Sequence, residues 1–339
     1  MRETTDEAAF AAAAERHRRE LQVHCYRMVG SLEESEDLVQ ETFLRAWRGR
    51  RSFRGRSSLR TWLYRIATNA CLDALERRPR RVLAADVAPA DPAAPDLAEA
   101  DLPWLQPFPD AMLEAVPDDA AGPEAAAEAS ETIELAFLAA IQHLPPRQRA
   151  VLVLRDVLGW SARETAALME TSVAAANSAL QRARETLKAH LPPARSEWRR
   201  RPGAGEAERA LLRRYIAAME GADVDELLDL LAEEARMTMP PYPTWFAGAR
   251  AIADFHAGTV WAGGRAYRHV ATRANRQPAA AVYMRAPGDD AFRPLVIDVL
   301  RVGDGRIAEI NAFVLPALFP RFGLPSTLSL IRNMFQDDR

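Results

Sequence analysis

The sequence predicts a multidomain chain: two all-α modules joined by an acidic linker, then an α+β domain. Three observations predict it. Charge is segregated, because a formal charge of −3 over 339 residues resolves into +5 for residues 1–81, −13 for 82–142, +6 for 143–201 and −1 for 202–339. Apolar residues recur at helical spacing through both basic segments. Beyond residue 205, two helical stretches give way to apolar runs with turn residues between them, the order of an α+β domain.

Length and composition set the bounds. A chain of 339 residues accommodates about two or three domains, and 48% apolar with 27% charged residues excludes wholesale disorder. The start, MRETTDEAAF, has acids where a signal peptide needs bases, and no run reaches membrane-spanning length. The expectation is a cytoplasmic protein with no membrane partner, monomeric when free. Cys25 and Cys71 both fall inside apparent helices with no ligand spacing around them, so buried reduced thiols are expected, with no metal and no cofactor.

The first module spans 10–81. Ser31 and Glu34 have capping-box spacing, and Val39, Phe43 and Trp47 form an apolar stripe, leaving Asp37, Gln40, Glu41 and Arg45 outward. An acidic face on a basic module suits a protein partner, and suits an ordinary solvated helix face equally. An arginine-rich stretch follows with Phe53, Trp62 and Tyr64 in it. Arginines track phosphates and aromatic rings stack on unpaired bases, although Trp62 and Tyr64 fit a core as well.

Residues 82–129 are too poor in large apolar side chains to build a core, and read as a flexible tether. The exception is LPWLQPFPD, 102–110, where Trp104 and Phe108 sit among prolines, suited to a groove or to a local apolar knot. The second module, 130–195, opens with an amphipathic helix from Pro145 that stops at Gly159. A capping box at Ser161 and Glu164 starts a short helix, a turn at Glu170 and Thr171 follows, and then comes a longer helix. There Val173, Ala176, Leu180, Ala183 and Leu187 face inward, leaving Asn177, Ser178, Gln181, Arg182 and Arg184 outward. This suits a helix-turn-helix with its second helix in the major groove, or a plain helix pair in a bundle.

Residues 205–325 form the third module. Leu211, Leu212, Tyr215, Ile216 and Met219 share one side of its first helix. Strands are expected in ARMTMPPYPTWFAG, in YRHVATRANRQPAAAVYMRAP, and in FRPLVIDVLRV and RIAEINAFVL, the last two joined by a GDGR turn. The result would be helices on one face of a curved antiparallel sheet. In the tail, 326–339, Leu328, Ile331 and Phe335 give an apolar face that could clasp another module.

DLVQETFLRAWR, SSLRTWLYRIATNACLDALERR and LPPRQRAVLVLRDVLGWSARETAALMETSVAAANSALQRAR occur in that order. Together they resemble regions 2 and 4 of a bacterial extracytoplasmic-function sigma factor of the sigma-70 family, over roughly residues 10–190. The resemblance implies a region 2 helical bundle and a region 4 helix-turn-helix, with core RNA polymerase and promoter DNA as partners. By motif position it puts Asp37, Gln40 and Glu41 on the polymerase. Phe53, Arg56, Ser57 and Asn69 would lie near unstacked promoter bases, with Asn177, Ser178, Gln181, Arg182 and Arg184 at the upstream element. Family members commonly carry bases where this helix has Asn177 and Ala179, which puts individual base contacts in question.

WFAGARAIADF and DGRIAEINAF are similar to the SnoaL-like branch of the nuclear-transport-factor-2-like cone. That resemblance implies a pocket for which Tyr242, Trp245, Phe246, His256, Tyr283 and Asp298 are candidates, and a small-molecule ligand. Asp298 could serve as a base in the cone, or point outward and pair with Arg285 or Arg301, the favoured reading. His256 reads as a satisfied pocket residue rather than a catalyst. The expected role is a non-enzymatic sigma factor modulated in cis by its SnoaL-like domain. A helix-turn-helix regulator acting without polymerase, or a SnoaL-like isomerase or hydratase with a DNA-binding appendage, leaves the paired region 2 and region 4 motifs unexplained.

Overall fold

The computed structural model describes residues 2–53, 55, 57–76, 79–84, 86–113, 133–191 and 204–329. Arg56, the linker beyond 113, and Ile331 and Phe335 of the tail lie outside the described residues. The chain divides into two compact units: 1–82 with 105–199, and 83–104 with 200–339.

The first unit is helical: α1 (Arg2–Glu15), α2 (Arg18–Val29), α3 (Leu32–Gly49), α4 (Leu59–Leu75), α5 (Asp110–Leu113), α6 (Leu135–Ile141), α7 (Pro146–Leu152), α8 (Ala162–Leu168) and α9 (Val173–His190). A single π turn, Val153–Val157, extends α7 toward Gly159. Leu21, Cys25, Met28, Leu63, Ala67 and Cys71 fill the core between α2 and α4. Both thiols are free, and hydrogen bonding to Cys25 together with burial raises the Cys71 thiol well above its ordinary value. Cys71 is therefore not a ready thiolate.

The α2–α3 joint gathers three distant parts of this unit. Gly30 ends α2 at φ +69°, and the space a Cβ would need is taken by Leu105. Gln106 donates its main-chain N–H to Gly30 (3.0 Å), and its carbonyl accepts from Tyr26 Oη (2.7 Å). Its side-chain oxygen accepts from Ser31 Oγ (2.8 Å) and from the Glu33 N–H (3.3 Å). Ser31 in turn caps α3 by accepting from the Glu34 N–H, while the Glu34 carboxylate reaches Arg81 at 2.6 Å. From α7, the buried Arg149 guanidinium donates to the Met28 carbonyl at the end of α2, to Gln142 Oε1 (2.8 Å) and to the Gln142 and Leu144 carbonyls. Burial lowers its pKa to about 10.

The second unit begins with α10 (Ala204–Gly221) and α11 (Val224–Leu230). Strands β1 (Leu231–Thr238) and β2 (Trp245–Ala247) precede α12 (Ala249–Phe255), after which come β3 (Ala266–Ala274), β4 (Gln277–Arg285), β5 (Ala291–Gly303), β6 (Arg306–Phe313) and β7 (Leu328–Ser329). The sheet runs β2-β1-β6-β5-β4-β3, with β7 on β5. Both tight hairpins use paired left-handed residues, Asn275 with Arg276 and Asp304 with Gly305.

Two expectations change. The sheet is mixed, because β1 and β6 pair in parallel, the whole β2–β5 excursion serving as the crossover that parallel strands require. The tether is not free along its described length. Val87 accepts from Trp245 Nε1 (2.9 Å), the Ala90 N–H donates to the Trp245 carbonyl (2.8 Å), Thr244 Oγ1 donates to Asp96, and the Ala100 N–H donates to Pro241 (3.0 Å). The bonds are mainly to main-chain groups, to which composition is blind, and Pro89, Pro92 and Pro95 reduce the entropy lost in ordering them.

Arg149→Ala strands the carbonyls that the guanidinium serves. A loss of about 2–4 kcal/mol is expected by urea unfolding of the full chain, followed through helical circular dichroism.

Candidate functional site

Helix α9 presents its predicted face. Ala176, Leu180, Ala183 and Leu187 of α9 are buried, and Asn177, Ser178, Gln181 and Arg182 are exposed. Val173 differs from expectation: it is 43% exposed. Beside Ala174 and Ala175 it gives the helix start an apolar, close-approaching surface of the kind that meets a thymine methyl.

The turn is braced. The Ser161–Glu164 capping box closes in both directions (2.9 and 3.2 Å), Ser172 accepts from the Ala175 N–H, and Arg147 donates to the Met169 carbonyl (2.8 Å). Arg184 is exposed but forms a bidentate pair with Asp156 (2.7 and 2.8 Å), which raises its pKa and holds the guanidinium against the π turn. Gln181 donates to Glu185 (3.2 Å), a weak surface contact that leaves its amide easy to redirect.

On α3, Asp37 and Gln40 are exposed, and half-buried Glu41 pairs with Arg45 (2.7 Å), which also reaches Asp73 (2.9 Å). Of the predicted apolar stripe, Val39 is buried and Phe43 half-buried, while Trp47 is 37% exposed and Leu44 beside it 50%. Two exposed large apolar side chains next to an acidic edge are the makeup of an interface core with a polar rim.

Phe53 stacks against Trp62 (5.1 Å between ring centroids), and Phe10 of α1 meets both Trp62 (6.2 Å) and Trp47 (6.4 Å). Ser57 and Asn69 are exposed on the same unit. Tyr64 is a core residue: it is buried, its hydroxyl donates to Glu20 (3.1 Å), and its ring lies 5.5 Å from Trp160.

In the cone, strand parity decides which candidates meet. Asp298 sits between Ala280 and Ala312 on neighbouring strands, on the face that packs against the helices. It is buried and accepts from Tyr215 Oη of α10 at 3.0 Å. The outward reading therefore fails: Arg301 pairs with Glu309 (2.8 Å) and Arg285 lies over the Phe292 ring. Burial raises Asp298 to about 6. His256 is buried, donates from Nδ1 to the Ile252 carbonyl (2.7 Å), and is lowered to about 4 by the same cause. Phe246 belongs to this core and Tyr242 packs against it.

Two candidates lie elsewhere. Tyr283 shares the opposite face with Ala281 and Ile297, where it meets Phe319 and donates to the Pro325 carbonyl (2.8 Å). Trp245 stacks with Arg236 (4.4 Å) and holds the linker. Sequence reasoning missed Tyr215, hidden in a leucine-rich helix face, and His269 and Trp261, which lacked a recognisable pattern.

The chain matches the family models for sigma-70 region 2 over residues 13–81, sigma-70 region 4 over 134–187 and a SnoaL-like domain over 212–310. It is 47% identical over 332 residues to the ECF RNA polymerase sigma factor SigG of Mycobacterium tuberculosis (strain ATCC 25618 / H37Rv), covering 96% of this chain and 87% of the relative. The chain belongs to the extracytoplasmic-function sigma factors. This sigma factor is also 32% identical over 187 residues to SigW of Bacillus subtilis (strain 168), covering 55% of its own length and 90% of SigW. The crystal structure of Mycobacterium tuberculosis SigJ shares its fold, with a TM-score of 0.57 at 23% identity, covering 93% of this chain and 98% of that one. No described helix of the sigma factor is long and apolar enough to cross a membrane.

Two outcomes follow from these surfaces. In holoenzyme binding to promoter DNA, Arg182→Ala should weaken all sequences alike and reduce the salt slope by about 1, whereas Asn177→Ala should cost about 1–3 kcal/mol at one base pair and relax preference there. A carboxyl raised to about 6 binds its proton more tightly folded than unfolded, so the Asp298 contribution to stability declines as pH climbs from about 4 through 6. Asp298→Asn, which cannot ionise, should gain about 2–3 kcal/mol on the parent between pH 4 and pH 8 in urea titrations.

Proposed function

We propose that this sigma factor joins core RNA polymerase through the α3 face formed by Asp37, Gln40, Glu41, Leu44 and Trp47. It reads an upstream promoter element with the exposed residues Val173 to Arg182 of α9. Phe53, Arg56, Ser57 and Asn69 serve the unstacked bases of the melted element. Charge segregation fits this division of labour, since two basic modules each meet a short piece of DNA while the acidic linker keeps away from it.

The SnoaL-like domain modulates this activity in cis. The observation that carries this is the linker itself, held against the cone domain from Val87 to Ala100 by Trp245, Thr244 and Pro241. Linker bound to the cone is withdrawn from the polymerase, so polymerase binding and linker docking draw on one segment and oppose each other.

Trp245→Ala removes the indole donor to Val87 and the ring that Arg236 covers. Protease sensitivity within 83–104 should rise, and open-complex formation with core polymerase should increase about threefold or more, as expected when about 1 kcal/mol of docking is lost. Unchanged transcription alongside a loosened linker would remove the cis reading.

A further inference from the structure

We propose that Arg80, His143 and His190 form an acid-opened latch that holds the end of region 2 to the region 4 helices. The proposal goes beyond the regulatory reading above and does not depend on it.

Three separate stretches of the helical unit supply the cluster. His143 lies in the turn between α6 and α7, His190 closes α9, and Arg80 follows α4. The two imidazole rings face each other with centroids 3.7 Å apart and planes tilted by 32°. Arg80 Nη1 stands 2.6 Å from His143 Nδ1. A guanidinium only donates, so this nitrogen accepts and the His143 proton sits on Nε2. His190 donates from Nδ1 to the Thr186 carbonyl (2.9 Å), which keeps its ring on the last turn of α9.

This arrangement has no room for a proton on His143 Nδ1. An imidazolium carries two N–H donors and no acceptor, so protonation breaks the Arg80 bond and sets two cations against each other. The charged and titratable groups that bear on His143 are Arg80 from the segment after α4, His190 from α9 and Arg149 from α7, and each opposes the proton. No carboxylate of the described residues is among them. Burial first, and then these groups, lower the His143 pKa to about 4. In the open form the ring regains water and a value near 6.5. Closing therefore requires the neutral ring: the latch holds in full above about pH 6.5 and is lost as pH falls toward 4.

Short stretches of chain couple the latch to the α2–α3 joint. Gln142, next to His143, accepts from Arg149 at Oε1 and at its main-chain carbonyl. Next to Arg80, Arg81 pairs with Glu34 of α3 at 2.6 Å, and the Val82 carbonyl accepts from the Leu105 N–H (2.9 Å). The cluster itself is peripheral, since Arg80 and His190 are exposed and His143 is half-buried. Opening thus frees one edge of region 2 from region 4 and leaves the apolar cores of both modules intact.

The experiment places spin labels on the full chain at Pro79→Cys and Ala189→Cys, both exposed positions, with Cys25 and Cys71 buried away from the reagent. The distance between the labels is read from about pH 7.5 to about pH 4.5. The short-distance population should fall by about half or more, with a midpoint between about 4 and 6.5, while helical circular dichroism holds. His143→Gln keeps an acceptor for Arg80 and takes no proton, so its distances should be the same at both ends of the range. The His143 C2–H resonance of the parent, identified by its loss in His143→Gln, should titrate together with the opening, and in Arg80→Gln its midpoint should move up toward 6.5. A parent distance that ignores pH, a pH response retained by His143→Gln, helix loss with the same midpoint, or a His143 titration at its ordinary value would each overturn the proposal. Because it reads the latch alone, its failure is distinct from a failure of the Trp245→Ala transcription test.

Discussion

The short joint from Met28 to Ser31 is the constraint on which the helical unit depends. A helix C-terminus and a helix N-terminus meet there, and each leaves main-chain groups that need partners. Arg149 from α7 serves the Met28 carbonyl, the partially negative end of α2, while Gln106 and Ser31 serve the opening turn of α3. Gly30 makes the meeting sterically feasible, since Leu105 fills the position a side chain would claim. Region 2, region 4 and the linker island thus share one hydrogen-bonded centre. The orientation of α3, whose outer face carries Asp37, Gln40 and Leu44, is set by residues about 75 positions downstream.

Availability separates the candidate DNA contacts more sharply than residue type does. Asn177, Ser178 and Arg182 are exposed on α9, whereas the Arg184 guanidinium is committed to Asp156. Exposed ion pairs are individually weak, so phosphate can compete for that guanidinium. The aromatic side chains of Phe10, Phe53 and Trp62 contact one another in a chain, with Phe53 still partly exposed.

Much of the architecture was legible because its signals are local. Capping residues at Ser31 and Ser161, the Asp304–Gly305 turn and the spacing of Ala176, Leu180, Ala183 and Leu187 each encode geometry within a few residues. What failed depends on distant partners. Whether Asp298 faces inward or Tyr283 outward follows from register and from a bulge at Val282–Tyr283, and one residue of slip exchanges the faces. Val173 looked like core by periodicity, yet it is 43% exposed. Tyr215 is one aromatic in a leucine-rich stripe until Asp298 is brought to it. The linker's docking could not be read at all, because main-chain amides form most of it.

One of the passages of the chain between the two units falls at the peptide bond joining Trp104 to Leu105. On one side the chain is fastened to the cone domain, and on the other to the α2–α3 joint. A segment tethered this closely faces its docking surface at an effective concentration on the order of millimolar or more. Any partner seeking the same acidic stretch from solution competes against that local concentration, so modest changes in how Trp245 grips Val87 become large changes in how often the segment is free.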